Sequence, residues 1–166
     1  MPGKFLVLLS ALLLCSLYHS GNNANKADPA LALYQEADRL FSLDNPTDET
    51  DSIALLTFQQ VIKMKPVDSL LFQSWLKSGV LLDVKLRYDE AKEAYLKAIA
   101  THAKGKPPAD SILFLPCVYA GTAYYHLNNF DSADYFLLQA EAIGNQYPHV
   151  SEKDRLYNAL GAMYYE

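Results

Sequence analysis

The sequence has little of what most chemistry requires. It holds two cysteines, Cys15 and Cys117, and four histidines spread over 166 residues. The thiols form no closely spaced pair, and His19, His102, His126 and His149 stand at no ligand spacing from one another or from an acid. No metal site is expected. Gly-rich phosphate loops, Gly-x-Ser-x-Gly turns and His-Glu-x-x-His stretches are absent, which removes the common nucleotide, hydrolase and metalloprotease signatures. An excess of positive charge is also missing: 14 Lys+Arg against 19 Asp+Glu leave a net charge of -5, scattered along the chain. Nucleic acid, a polyanion, is therefore not an expected partner.

What is there is apolar and aromatic. Hydrophobic residues make up 51% of the chain and aromatics 12%, twelve of them Tyr. Such a chain can bury one ordinary core, and its rings supply wide, stiff contact area both between helices and at interfaces.

The one long apolar run lies at the N-terminus. Lys4 precedes Phe5 to Tyr18, an almost wholly apolar stretch. It is shorter than the about 20 residues a spanning helix needs and has the length of a secretory h-region. The polar segment from Ser20 to Lys26 lacks hydrophobic spacing and reads as a solvated tether. Residues 1–27 are thus expected to be a signal peptide and tether, with export to the periplasm or cell envelope and membrane contact only through the signal or a lipid anchor. Leu12-Leu13-Leu14-Cys15 resembles a bacterial lipoprotein box, which makes Cys15 a candidate lipidation site. Leu14 stands where that peptidase usually meets a small residue, and Cys15 also reads as one more apolar residue of the run. Cleavage near Ala24 or Ala27 would release a soluble protein, and a single uncut anchor is the third outcome.

From Asp28 onward the chain repeats itself. Asp68-Ser69-Leu70-Leu71-Phe72 aligns with Asp110-Ser111-Ile112-Leu113-Phe114 at an offset of 42 residues. The offset then carries Trp75 onto Cys117, Gly79 onto Gly121, Leu82 onto Tyr124, Tyr88 onto Phe130, Ala91 onto Ala133, Tyr95 onto Leu137 and Ala98 onto Ala140. Tyr157, Gly161 and Tyr164 open a third copy, which stops inside the unit at Glu166. Each unit reads as two antiparallel helices. Its first half puts a large residue, the Gly and another large residue at i, i+4 and i+7, and its second half does the same with Ala, a large residue and Ala. Gly inside a helix costs about 1 kcal/mol relative to Ala, so the Gly should mark close approach of a neighbouring helix backbone. Asp89 and Asp131 are placed to cap the second helices.

These residues resemble the tetratricopeptide pattern of Trp, Gly, Tyr, aromatic, Ala, large, Ala. Trp75, Gly79, Leu82, Tyr88, Ala91, Tyr95 and Ala98 carry it once, Cys117 to Ala140 carry it again, and Leu156 to Tyr165 begin a further copy. The usual period is about 34 residues, and the surplus here falls in connections such as Ala103 to Ala109. The resemblance implies an all-α solenoid of antiparallel helix pairs over 28–166, with a divergent repeat at 28–67, repeats at 68–107 and 110–147, and the first helix of another at 151–166. In the divergent repeat Leu33, Ala37, Leu40 and Phe41 mark the first helix and Ala54, Phe58 and Val61 the second, joined by Leu43 to Asp51. Asp48-Glu49-Thr50-Asp51 lacks the spaced ligands and Gly of a calcium loop, and is expected to be a solvated loop in which Asp51 or Ser52 caps the helix.

The same resemblance implies function. In that family the first helices line an inner groove that holds another protein. Position by position this names Gln73, Leu76, Val80 and Asp83, then Leu115, Val118, Thr122, Tyr125 and His126, then Arg155, Asn158, Ala162 and Tyr165. In the pairs Tyr124-Tyr125 and Tyr164-Tyr165, one ring is expected in the core and the second on the groove. Leu76 and Val80 replace the Lys and Asn that some members use to clamp a chaperone's C-terminal carboxylate, so an extended peptide or helix held by apolar contacts is the expected partner. Cys117 and His126 could be imagined as nucleophile and base, but position 117 is a core site of the repeat. No catalytic residue and no cofactor are expected. Softer features, the Asp-Ser-(Leu/Ile)-Leu-Phe openings and Arg155-Leu156-Tyr157-Asn158, look like repeat arrays that precede caspase-like CHAT peptidase domains, or sensor-kinase and regulator domains, in Bacteroidota. On that resemblance the reading frame should continue past Glu166 into a catalytic part.

Overall fold

The computed structural model describes residues 28–102 and 110–165. The export segment with Cys15 and His19, the connection 103–109 and Glu166 lie outside the described residues. Among the described residues the secondary structure is entirely helical: α1 (Pro29–Phe41), α2 (Asp48–Lys63), α3 (Asp68–Val84), α4 (Tyr88–His102), α5 (Phe114–His126), α6 (Phe130–Gln146) and α7 (Lys153–Tyr164), with one 3-10 turn, Ser111–Leu113, leading into α5.

Local chemistry accounts for most helix ends. Asp28 caps α1 by accepting from the Ala30 N–H at 3.0 Å, with Pro29 in the first turn, where its missing N–H is harmless. Thr47 and Thr50 form a reciprocal capping box at the start of α2. The helix therefore begins before the expected caps Asp51 and Ser52, and Asp48, Glu49 and Asp51 sit in its first turn, where the helix dipole favours them. The joint with α1 is correspondingly shorter than the sequence suggests. Asn129, not Asp131, caps α6 by accepting from the Ser132 N–H at 3.2 Å. Asp131 and Asp89 instead occupy the first turns of α6 and α4. The second repeat opens on a 3-10 turn where the first is α-helical from Asp68. Pro116 explains the difference, since it has no N–H to offer the carbonyl four residues earlier.

The turns between α3 and α4 and between α5 and α6 are copies of each other. Leu86 and Asn128, at equivalent places, take the left-handed conformation with φ of 58° and 57°. The next residue's N–H then returns to the helix, Arg87 to the Leu82 carbonyl at 2.9 Å and Asn129 to the Tyr124 carbonyl at 3.0 Å.

Consecutive helices pack on one another all along the chain, and α1 touches α3, α3 touches α5, and α5 touches α7. Within the pairs the small-large-small face does the packing. Ala91, Tyr95 and Ala98 of α4 are buried, as are Ala133, Leu137 and Ala140 of α6. A Cβ on Gly79 would lie 2.6 Å from Cδ1 of Tyr95, and one on Gly121 would lie 2.7 Å from Cγ of Leu137. What fills each glycine notch is thus chiefly a side chain of the partner helix, not its backbone. Gly161 differs, with no described atom within 4 Å of the same position. Tyr164, expected in the core with Tyr165 on the groove, is 57% exposed for the same reason: no described helix covers that face of α7. Its hydroxyl donates to Asp134 of α6. Two buried clusters, one centred on α1 to α4 and one on α4 to α7, are joined by Trp75, Leu76, Ile99 and Phe136, which pack against both.

Candidate functional site: two clefts on the first helices

The residues expected to line one groove divide between two clefts. Gln73, Leu76 and Leu115 border the larger, about 910 Å³, together with Phe72, Asp110 and the 146–151 segment. Asp83, Val118, Thr122, Tyr125, His126, Arg155, Asn158 and Ala162 border the smaller, about 330 Å³, where α3, α5 and α7 meet. Val80 lines neither cleft and packs against the core beside α1 to α4. Tyr165 also lines neither; it follows the last turn of α7 and is 91% exposed. Val118 is only 1% exposed and makes the floor of the small cleft rather than a contact surface.

Beside the larger cleft, behind Asp110 and Phe72 of its wall, the sequence spacing concealed a pair. His102, at the buried end of α4, has its Nε2 2.9 Å from Oδ2 of Asp110, and its ring lies 5.6 Å from that of Phe72. His102 is thus paired with an acid that does not stand at ligand spacing from it in the sequence. Seven residues, 103–109, separate the two, so chain spacing carries no trace of the contact.

The smaller cleft is richer in polar groups. Asp83, on the last turn of α3, has Oδ1 sealed from solvent and accepts no hydrogen bond from any described residue. Burial pushes its carboxyl above the usual carboxylate range, and the charge of His126 pulls partly the other way. His126 stacks on Tyr88 at 4.4 Å and meets Tyr125 edge-on at 5.7 Å. Behind Asp83, Tyr95 and Tyr119 lie with ring centres 5.4 Å apart. Burial raises both phenols, and the Asp83 charge adds to the shift in each. The Tyr95 hydroxyl, like Asp83 Oδ1, is buried with no partner among the described residues. Arg155 projects from α7 over the Tyr119 ring at 5.7 Å, while its Nε donates to Glu152. Thr122 turns its hydroxyl back onto the Val118 carbonyl at 3.0 Å.

Cys117 and His126 do not come together. Nine residues apart on α5, they point to opposite faces roughly 13 Å apart along the axis. Cys117 is 1% exposed, and burial pushes its thiol up to about 12. Iodoacetamide at pH 8 is expected to leave Cys117 unmodified in the folded protein and to alkylate it once urea unfolds the chain, since only the thiolate reacts. Mass spectrometry reads both states, and rapid alkylation of the native protein would contradict this packing.

Among the described residues no group of three or more His, Cys, Asp or Glu is arranged to hold a metal ion. No described helix is long and apolar enough to cross a membrane. No protein-family model matches the chain, and no curated protein matches it.

Proposed function

We propose that this chain is a non-catalytic protein-binding scaffold of tetratricopeptide type, exported to the cell envelope, whose helix pairs form an α-solenoid and whose first helices grip a partner protein. The observation that carries this reading is the smaller cleft. Three helices equivalent by sequence converge there, and eight of the residues that the family pattern assigns to the groove border one concavity. The repeated glycine notches support the solenoid, because the same small-into-large contact recurs at Gly79 and Gly121. Tyr125 supplies the aromatic area that interfaces favour. Export rests on the apolar run before residue 19.

The test places a photo-crosslinking amino acid at position 125 and, as a comparison, at Tyr135, which is exposed on α6 outside both clefts. Crosslinks to a protein partner in the native envelope should form from position 125 and not from 135. Tyr125→Ala should keep the helical circular dichroism spectrum and lose the partner. Equal crosslinking from both positions, or capture unaffected by Tyr125→Ala, would sink this reading.

A second reading makes the repeats the regulatory front of a longer protein whose catalytic part, a caspase-like CHAT peptidase or a histidine kinase, lies beyond residue 166. It rests on the resemblance of the Asp-Ser-(Leu/Ile)-Leu-Phe openings and of Arg155-Leu156-Tyr157-Asn158 to repeat arrays that precede such domains. The downstream nucleotide sequence decides: a stop codon directly after Glu166 removes this reading.

A further inference from the structure

We infer that the small cleft between α3, α5 and α7 receives a basic side chain, the ammonium of Lys or the guanidinium of Arg, and that Asp83 anchors it. This rests on the reading of the cleft as a protein-binding surface and names the chemistry of what enters it.

The recess has acceptors in excess. Asp83 borders the cleft and its Oδ1 is buried without a hydrogen-bond partner among the described residues; the Tyr95 hydroxyl, also unpartnered, lies in the core and not on the cleft wall. Tyr95 lies against Gly79, one helical turn before Asp83, and both Tyr95 and Tyr119 feel the Asp83 charge. A carboxylate only accepts, while each phenol gives one hydrogen and also accepts. The complementary ligand therefore brings several N–H donors, and a positive charge offsets the cost of burying the carboxylate.

The two basic side chains nearby, Arg155 and His126, leave Oδ1 of Asp83 without a hydrogen bond. Arg155 gives its Nε to Glu152 and lies over Tyr119 with its side chain 54% exposed, and the exposed His126 stacks on Tyr88. Neither hydrogen-bonds Asp83 among the described contacts. An anionic ligand drawn by Arg155 would compete with Glu152 and meet Asp83 as a like charge. A cation entering past Tyr125 and Tyr119 finds aromatic walls on its way to the carboxylate. The volume of about 330 Å³ suits one long side chain and a few waters. The net charge of -5 draws a basic partner toward the surface.

The experiment titrates the full chain with acetyl-arginine amide and acetyl-lysine amide, followed by amide NMR shifts, with acetyl-glutamate amide and acetyl-citrulline amide as comparisons. At least one basic probe should give saturable shifts around Asp83, Tyr95 and Tyr119, weakened by salt, and the two comparison probes should give none. Asp83→Asn should bind the basic probe roughly tenfold or more weakly, as for loss of a hydrogen bond to a charged group, with an unchanged or higher melting temperature. Absence of saturable shifts from both basic probes, or full binding by Asp83→Asn, overturns the assignment. If Asp83→Asn still captures the partner that Tyr125→Ala loses, the cation anchor fails while the protein-binding reading stands. Saturable probe binding without any partner crosslink from position 125 supports the anchor and defeats that reading instead.

Discussion

Gly121→Leu is expected to destabilise the fold by roughly 1–3 kcal/mol or more through overpacking, and the same substitution at Gly161 to leave it unchanged or slightly stabilised. At position 121 the new side chain enters space already filled. Its Cβ would stand 2.7 Å from Cγ and 2.8 Å from Cδ2 of Leu137, and 3.2 Å from the Ala133 carbonyl oxygen. The Leu137 side chain is wholly buried on α6 and has nowhere to retreat, so α5 and α6 must move apart. At position 161 no described atom lies within 4 Å, and replacing Gly removes up to about 1 kcal/mol of helix-propensity cost. Urea melts followed by circular dichroism compare the two directly. Equal effects at 121 and 161 would show that the notch is not what holds the pair together.

Tyr95→Ala should cost more, about 3–5 kcal/mol, the usual range for removing a large buried aromatic. Against a total of about 5–15 kcal/mol for an ordinary domain, that loss brings the chain close to unfolding at growth temperature. The ring fills the Gly79 notch and abuts Tyr119, so its deletion opens a cavity between α3, α4 and α5. Tyr95→Phe should behave very differently. The hydroxyl is buried without a partner, so removing it discards no hydrogen bond and relieves an unsatisfied polar atom. Thermal melts of the two variants separate the contribution of the ring from that of the hydroxyl. A large loss in Tyr95→Phe would mean that the hydroxyl has a partner after all.

Much of the fold was legible because the pattern is local. Ala91, Tyr95 and Ala98 share a face by spacing alone, and that face is the buried one. Gly79 and Gly121 were legible as contact points, but the sequence pointed to a neighbouring backbone where the structure places the side chains of Tyr95 and Leu137. Caps were harder. Thr47 and Asn129 were overlooked in favour of nearby Asp residues because several residues in succession could cap, and only the backbone path selects one. The groove was harder still. Leu115 and Tyr125 sit on one helix face by sequence, yet border different clefts, because the 146–151 segment closes one and α7 the other.

By itself the sequence determined the helical units, their register and the notch in each, since positions three, four and seven apart must share a face wherever a helix forms. It also determined the charge balance and the scarcity of reactive groups. Only tertiary structure decided which polar atoms lost their water. Asp83 reads as one more helix-end carboxylate until packing between helices seals its Oδ1 from solvent, and His102 reads as isolated until Asp110 returns to it. Burial depends on neighbours remote in the chain, and no local pattern records them.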